Sequence, residues 1–170
     1  MALVKGPFTL KYGSVELQDV SEISWDYSSD STQPTTIDGR TYDIPTTTSA
    51  SVEVTLLGAD IEALSLIFPQ YAVAAGGKMS TGETTEYDAF DLKAMSACGS
   101  TALEEDLEII GCDTTTRLVN AQAKISSIDY EDNVVQTVAI TFTGMPQQNQ
   151  GIIQMYKNGS LTEASSGAGN

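Results

Sequence analysis

LVNAQAKISSIDYEDNVVQTVAITFTGMP, residues 118–146, reads as two long β-strands joined at Glu131-Asp132-Asn133. In the second strand Val134, Val138, Ile140 and Phe142 make one row, and Val135, Thr137, Ala139, Thr141 and Thr143 make the other. Successive side chains of a strand point to opposite faces. Alternation over this length therefore puts one row on a core and the other against water or a neighbouring subunit. The chain is read as built around long antiparallel strands, and those strands carry no catalytic apparatus.

Composition narrows the class of protein. With 170 residues the chain is long enough for one domain with a full core and too short to expect two. It has no histidine, which removes Ser-His-Asp and Cys-His nucleophilic chemistry and the commonest ligand of zinc, copper and non-haem iron. Cys98 and Cys112 are too far apart for a CxxC motif. They read as half-buried small hydrophobes in a reducing compartment, with a disulfide as the alternative. Asp and Glu outnumber Lys and Arg by 23 to 8, a formal charge of -15. Nucleic-acid binding needs cations that displace phosphate counterions, so this chain should repel DNA. Met1-Ala2-Leu3-Val4 has no basic region before it and Lys5-Gly6-Pro7 ends the apolar run, so no signal peptide is read there. The apolar stretches are too short for a membrane span.

Working outward from the C-terminal hairpin, Phe8 to Tyr12 reads as a short strand and Gly13-Ser14 as the turn into a longer one. On that second strand Val15, Leu17, Ile23, Trp25 and Tyr27 share the apolar side, with the aromatics assigned to core packing. Glu16, Gln18, Glu22, Ser24 and Asp26 share an acidic side, and Asp19-Val20 breaks the register as a bulge or bend would. Ser28 to Ser49 is a long polar connection in which Asp38-Gly39 reads as a two-residue hairpin turn, so this segment is expected to project as a β-arm. Ser51 to Leu57 alternates, with Val52, Val54 and Leu56 inward. A short helix, Ile61 to Phe68, follows, with Asp60 as its cap, Ile61, Leu64 and Phe68 as its apolar face and Pro69 as its stop. Residues 71–101 lose periodicity and read as an insertion loop, and Asn158-Gly159 reads as a further hairpin turn. Ser165 to Asn170 is expected to be disordered.

Candidate chemistry along the chain is weak. Ala74 to Ser80 resembles a phosphate-binding loop only superficially, because Met79 stands where the hydroxyl for magnesium is needed and Ala72 replaces the upstream glycine. The carboxylates of Asp129, Glu131 and Asp132, and of Glu104, Glu105 and Asp106, crowd turns without an EF-hand spacing, and read as solvated turns. Neither a cofactor nor a metal site is assigned.

The order of elements resembles the major tail tube protein of long-tailed bacteriophages. The likeness is carried by Gly6-Pro7-Phe8-Thr9-Leu10, by Ser51 to Leu56 leading into Asp60 to Phe68, and by the Ala121 to Pro146 hairpin. It covers most of the chain as a pattern of elements. The resemblance implies a mainly β subunit, an antiparallel β-sandwich or half-barrel with one short flanking helix, occupying residues 1–164 as a single domain. It further implies that six copies close into a ring, and that rings stack into a hollow virion tail tube, assembled in the host cytoplasm, through which DNA passes without specific binding. Its implied partners are further copies of itself, tail tip or baseplate and terminator proteins, and a sheath in contractile tails. On this reading Glu16, Glu22 and Asp26 line the lumen, and Thr35, Ile37, Asp38, Gly39, Arg40 and Tyr42 form the ring-stacking arm. A contractile injection or secretion tube, and a β-sandwich decoration or adhesion module, are the alternatives.

Overall fold

A computed structural model of the chain describes residues 7–58, 61–92, 103–130, 136–147 and 149–161. In chain order the elements are β1 (Thr9–Tyr12), β2 (Val15–Leu17), β3 (Val20–Thr32), β4 (Ile44–Leu57), α1 (Ile61–Ile67), β5 (Ala72–Val73), β6 (Ala89–Phe90), β7 (Glu104–Ile110), β8 (Thr114–Asp129), β9 (Thr137–Gly144) and β10 (Ile153–Lys157). Eight of these strands form one antiparallel sheet, ordered β2-β1-β7-β8-β9-β4-β3, with β10 also paired to β8. The fold is therefore mainly β with one short flanking helix, as the alternation of residues 118–146 predicts. The turn at Glu131-Asp132-Asn133, with Val134 and Val135, lies outside the described residues, as do Asp60, Cys98 and Ser165 to Asn170.

One strand organises the sheet. The register of β7 against β8 jumps from Glu105↔Ala121 to Leu107↔Leu118, and Asn120, inside the jump, has φ 47. The Asp106 carboxylate accepts the Asn120 backbone N–H at 2.9 Å, holding a bulge that bends the strand. Before the bend β8 lies between β7 and β10, and after it β8 pairs with β9. The sheet thus divides into two halves, β2-β1-β7-β8-β10 and β8-β9-β4-β3. Its end strands, β2 and β3, are separated in sequence only by Gln18 and Asp19, so the sheet has to roll back on itself. Every pairing along the sheet is antiparallel, so β2 and β3 run in the same direction and the chain passes from one to the other through a kink at Asp19, whose φ of 55 is a left-handed conformation that Asp tolerates better than most side chains.

The apolar rows of the two halves meet inside this roll. Leu10, Tyr12, Leu107 and Leu118 come from one half, and Val52, Val54, Val138, Ile140 and Phe142 from the other, all buried. The Tyr12 and Phe142 rings join the halves, with centroids 5.0 Å apart. The Tyr12 hydroxyl lies 2.7 Å from the Leu103 carbonyl oxygen and 2.8 Å from that of Ala121, and donates its proton to this pair. Burial pushes this hydroxyl up to about 12, and the carboxylates of Glu105 and Glu104 add to the effect. An unfolded tyrosine ionises near pH 10, so the stability Tyr12 contributes is complete below pH 10 and is lost as the pH rises towards 12. Tyr12→Phe is expected to cost about 1–3 kcal/mol by leaving buried carbonyls unpaired. Urea denaturation from pH 8 to pH 11 should show the loss at the lower pH and a smaller alkaline decline than in the parent chain.

Three local readings are corrected by the structure. In α1, Leu64 and Ile67 are buried, with Phe68 just beyond, whereas Ile61 is 44% exposed. The inward stripe runs at spacings of three and four from Leu64, so Ile67 takes the place expected for Ile61. Residues 72–90 are a hairpin, not an unstructured insertion: β5 pairs with β6, Lys78 bridges Thr84, and Gly76 donates its N–H to Thr85 at 2.7 Å. Phe68, Tyr71 and Phe90 anchor its base, with centroids 5.7 to 6.2 Å apart. Asn158-Gly159 forms a turn, with Gly159 at φ 79 and the Ser160 N–H donated to the Lys157 carbonyl at 3.0 Å, and residues 162–163 of the segment expected to pair after it lie outside the described residues. The Asn158 side chain accepts from Thr115 at 2.6 Å and donates to the Gly111 carbonyl at 2.9 Å, clamping the β7–β8 turn. Cys112, expected to be half-buried, is exposed on that turn.

Candidate conduit and assembly surfaces

The outward row of the β8-β9-β4-β3 half-sheet follows from its registers. Because Val52, Val54 and Leu56 point inward, Ser51, Glu53, Thr55 and Leu57 point outward, opposite Thr143, Thr141, Ala139 and Thr137 of β9. On β3 the same face carries Glu22, Ser24 and Asp26, opposite Thr55, Glu53 and Ser51. On β8 it carries Gln122, Lys124 and Asp129. Each carboxylate in the row faces a hydroxyl residue across the ladder: Glu22 faces Thr55, Asp26 faces Ser51, Glu53 faces Ser24 and Thr141, and Asp129 faces Thr137. Like charges directly opposite one another are thereby avoided. The Ser126 hydroxyl, at a register shift in β8, bonds that of Thr141 on the same wall. The surface is broad, acidic and covered with small hydroxyls.

Both edges of this half-sheet are open among the described residues. The outer edge of β3 has no partner along its 13 residues. On the other side β7 pairs with β8 only as far as Gln122, leaving that edge of Ala123–Asp129 unpaired. Every pairing from β8 through β9 and β4 to β3 is antiparallel, so β8 and β3 run in opposite directions. A second copy in the same orientation could therefore lay its β8 edge antiparallel to β3 of the first. Open edges of this length favour such pairing.

The far ends of β3 and β4 extend past the sheet. From Ser28↔Ser49 to Thr32↔Ile44 these strands pair only with each other, with the Ser28 and Ser49 hydroxyls 2.6 Å apart. The tip is a smaller hairpin in which Thr35 bridges Thr41, Arg40 accepts the Thr36 N–H at 2.8 Å, and Thr36 accepts the Gly39 N–H at 2.9 Å. Gly39 has φ 82 and Asp38 has no positive φ. The turn is thus a three-residue loop closed by a left-handed glycine rather than the two-residue turn read from Asp38-Gly39. A hydrogen bond from the Thr36 hydroxyl holds the Asp38 carboxyl below its usual range. Ile37 is fully exposed at the tip, and Tyr42 and Ile44 are exposed behind it.

The other half-sheet carries a different surface. Glu16, Lys11, Glu108, Arg117 and Gln154 lie in line across β2, β1, β7, β8 and β10. Arg117 donates to Glu108 at 2.8 Å, stands 3.7 Å from Asp106, and sits 5.1 Å from the centre of the Tyr156 ring. Burial alone would lower the Arg117 pKa, but the Glu108 hydrogen bond and the neighbouring charges outweigh it and the net shift is upward. The guanidinium stays charged and fixed.

The expectation that Glu16, Glu22 and Asp26 share one strand face needs correction. The kink at Asp19 separates β2 from β3, so Glu16 lies on β2 opposite Lys11 while Glu22 and Asp26 share the hydroxyl-lined wall on β3. Glu53 and Lys124 belong to that wall and were missed, although the alternation of residues 51–57 already marks Glu53 as outward. Trp25 and Tyr27, assigned to the core, are on its side of β3 but 37% and 56% exposed. Trp25 lines a groove with Phe8 and Ile23 and with Ile109 and Thr116 of the opposing half-sheet.

No protein-family model matches the sequence, and no curated protein matches it. Solved structures do match the fold. A chain of an extracellular contractile injection system, the PVC sheath–tube complex in its extended state, aligns with a TM-score of 0.54 at 13% identity, covering 88% of each chain. A chain of the anti-feeding prophage cap, which terminates the AFP tube, aligns at 0.52 and 11% identity, covering 92% of this chain and 95% of its own. A chain of the PVC sheath/tube terminator aligns at 0.51 and 13% identity, covering 91% and 99%. The chain has a tail-tube-like fold.

Proposed function

We propose that this chain is a non-enzymatic structural subunit of a tail or injection tube. Six copies join edge to edge through β3 and β8 into a ring, and the rings stack. The acidic, hydroxyl-lined half-sheet faces the bore, and the Arg117 surface lies on the other half-sheet. The single observation that carries this reading is the β8-β9-β4-β3 half-sheet, which has two open edges of opposite direction and one continuous polar face. Head-to-tail joining of unlike edges closes into a ring when the rotation between copies permits. A wall without clustered cations lets a polyanion slide, because few phosphate contacts have to be broken in transit. Baseplate and terminator components are the fitting partners, together with a sheath in a contractile assembly, and the conduit carries DNA in a phage or another cargo in an injection system.

The likeness to cap and terminator chains favours one second reading, a subunit that closes a tube instead of extending it. Electron microscopy of the purified protein decides between them. Hollow tubes of constant bore are expected. Single rings that never stack would support the terminator reading, and monomers or trimers at high concentration would overturn both.

A further inference from the structure

Asn158-Gly159 is the one Asn-Gly pair of the sequence, and its two groups that can react with each other are held very differently. Gly159 is exposed, a Cβ added to it would meet nothing within 4 Å, and among the described residues its N–H donates to no acceptor. With no side chain of its own, a glycine lets its nitrogen come close to the side chain before it. The Asn158 carboxamide, in contrast, is held at both polar atoms. Its nitrogen donates to the carbonyl oxygens of Gly111 at 2.9 Å and Cys112 at 3.2 Å, and its oxygen accepts from the Thr115 hydroxyl at 2.6 Å, on a buried side chain. The backbone beside it is tied as well, the Asn158 N–H donating to the Asp113 carbonyl at 2.9 Å. The β7–β8 turn and the end of β10 are therefore fastened through one side-chain amide.

We propose that Asn158 is a deamidation site that this clamp keeps closed, and that its conversion unfastens the end of β10. In the reaction the Gly159 nitrogen gives up its proton and forms a bond to Cγ of Asn158 with the electron pair left behind. The Cγ–Nδ2 bond breaks, and the side-chain nitrogen leaves as ammonia. Water then adds to one of the two carbonyls of the cyclic imide. Opening at Cγ leaves an aspartate, and opening at the main-chain carbonyl leaves an isoaspartate, whose backbone is one methylene longer. No oxidant or reductant takes part. To reach the Gly159 nitrogen, Cγ has to leave its three hydrogen bonds, so the reaction proceeds from a locally opened turn and not from the closed one. Either product replaces the donor amide by a carboxylate that only accepts, which leaves the Gly111 and Cys112 carbonyls without their donor. It also adds one negative charge to a chain of formal charge -15. This chemistry needs no second copy, and it stands or falls independently of the tube reading.

The test incubates the full chain under reducing conditions at mildly alkaline pH, with mass spectrometry of tryptic fragments to read the exchange of amide for acid at residue 158 and chromatography to separate isoaspartate. Conversion in native buffer is expected to be slower than in concentrated urea by a factor of about ten or more, since each hydrogen bond that has to break lowers the open population. Thr115→Val, in which a methyl replaces the buried hydroxyl, is expected to stay folded by circular dichroism and to convert about fivefold faster than the parent, whereas Thr115→Ser keeps the hydroxyl and the parent rate. Asn158→Asp, standing for the product, is expected to speed hydrogen exchange of the backbone amides of residues 111 and 158 and to leave those of β9 as in the parent. Equal rates in buffer and urea, or a folded Thr115→Val at the parent rate, would overturn the clamp as guard. No conversion in urea would overturn the site itself, and parental exchange in Asn158→Asp would overturn the unfastening.

Discussion

Tubes carrying Glu22→Lys, Asp26→Lys and Glu53→Lys together are expected to capture and retain DNA, whereas parent tubes let it pass. The three side chains lie on one exposed face of β3 and β4, so the substitutions reverse three charges on one wall in every copy and leave the core untouched. Rings repeat the reversal around the bore, and a duplex threading it meets many ammonium groups at once. If six to ten phosphates are engaged, affinity should fall about 10³- to 10⁵-fold between 50 and 200 mM salt. Short labelled duplexes, with nuclease added after binding, separate DNA inside the tube from DNA on its outer surface. Glu16→Lys is the matching control, since Glu16 lies on the other half-sheet opposite Lys11, and it should protect no DNA. Intact triple-lysine tubes that protect none would remove this wall from the bore.

Phe142→Ala is expected to destabilise the subunit by about 3–5 kcal/mol. Phe142 is completely buried, sits on β9 opposite Val52, and packs its ring at a tilt against Tyr12 from the other half-sheet. Truncation removes apolar burial and opens a void at the junction of the two halves, where the bend in β8 limits how far they can close over it. A domain of this size has roughly 5–15 kcal/mol of stability, so a large part would be lost from one side chain. Chemical denaturation measures the change directly. A loss under 1 kcal/mol would mean that the halves are not held together through this contact.

The period-two pattern of residues 118–146 was sufficient to establish a mainly β chain, because alternation is a local property of a strand and survives in any packing. Val52, Val54 and Leu56 were readable as inward for the same reason, and the projecting arm was legible in the polar run around Asp38-Gly39. Composition by itself excluded histidine-based chemistry and made an acidic surface unavoidable. Tertiary structure decided what lies next to what. Glu16 parted from Glu22 and Asp26 because a left-handed Asp19 sends β2 and β3 to opposite ends of a rolled sheet, and alternation along the sequence cannot reveal which strand each half will pair with. Trp25 and Tyr27 look like core residues by type and lie on the inward side of β3, but alternation does not set how much of a side chain is covered, and they stay 37% and 56% exposed. Ile61 and Ile67 are equally apolar, and only the direction from which the sheet approaches α1 selects Ile67 for the interior.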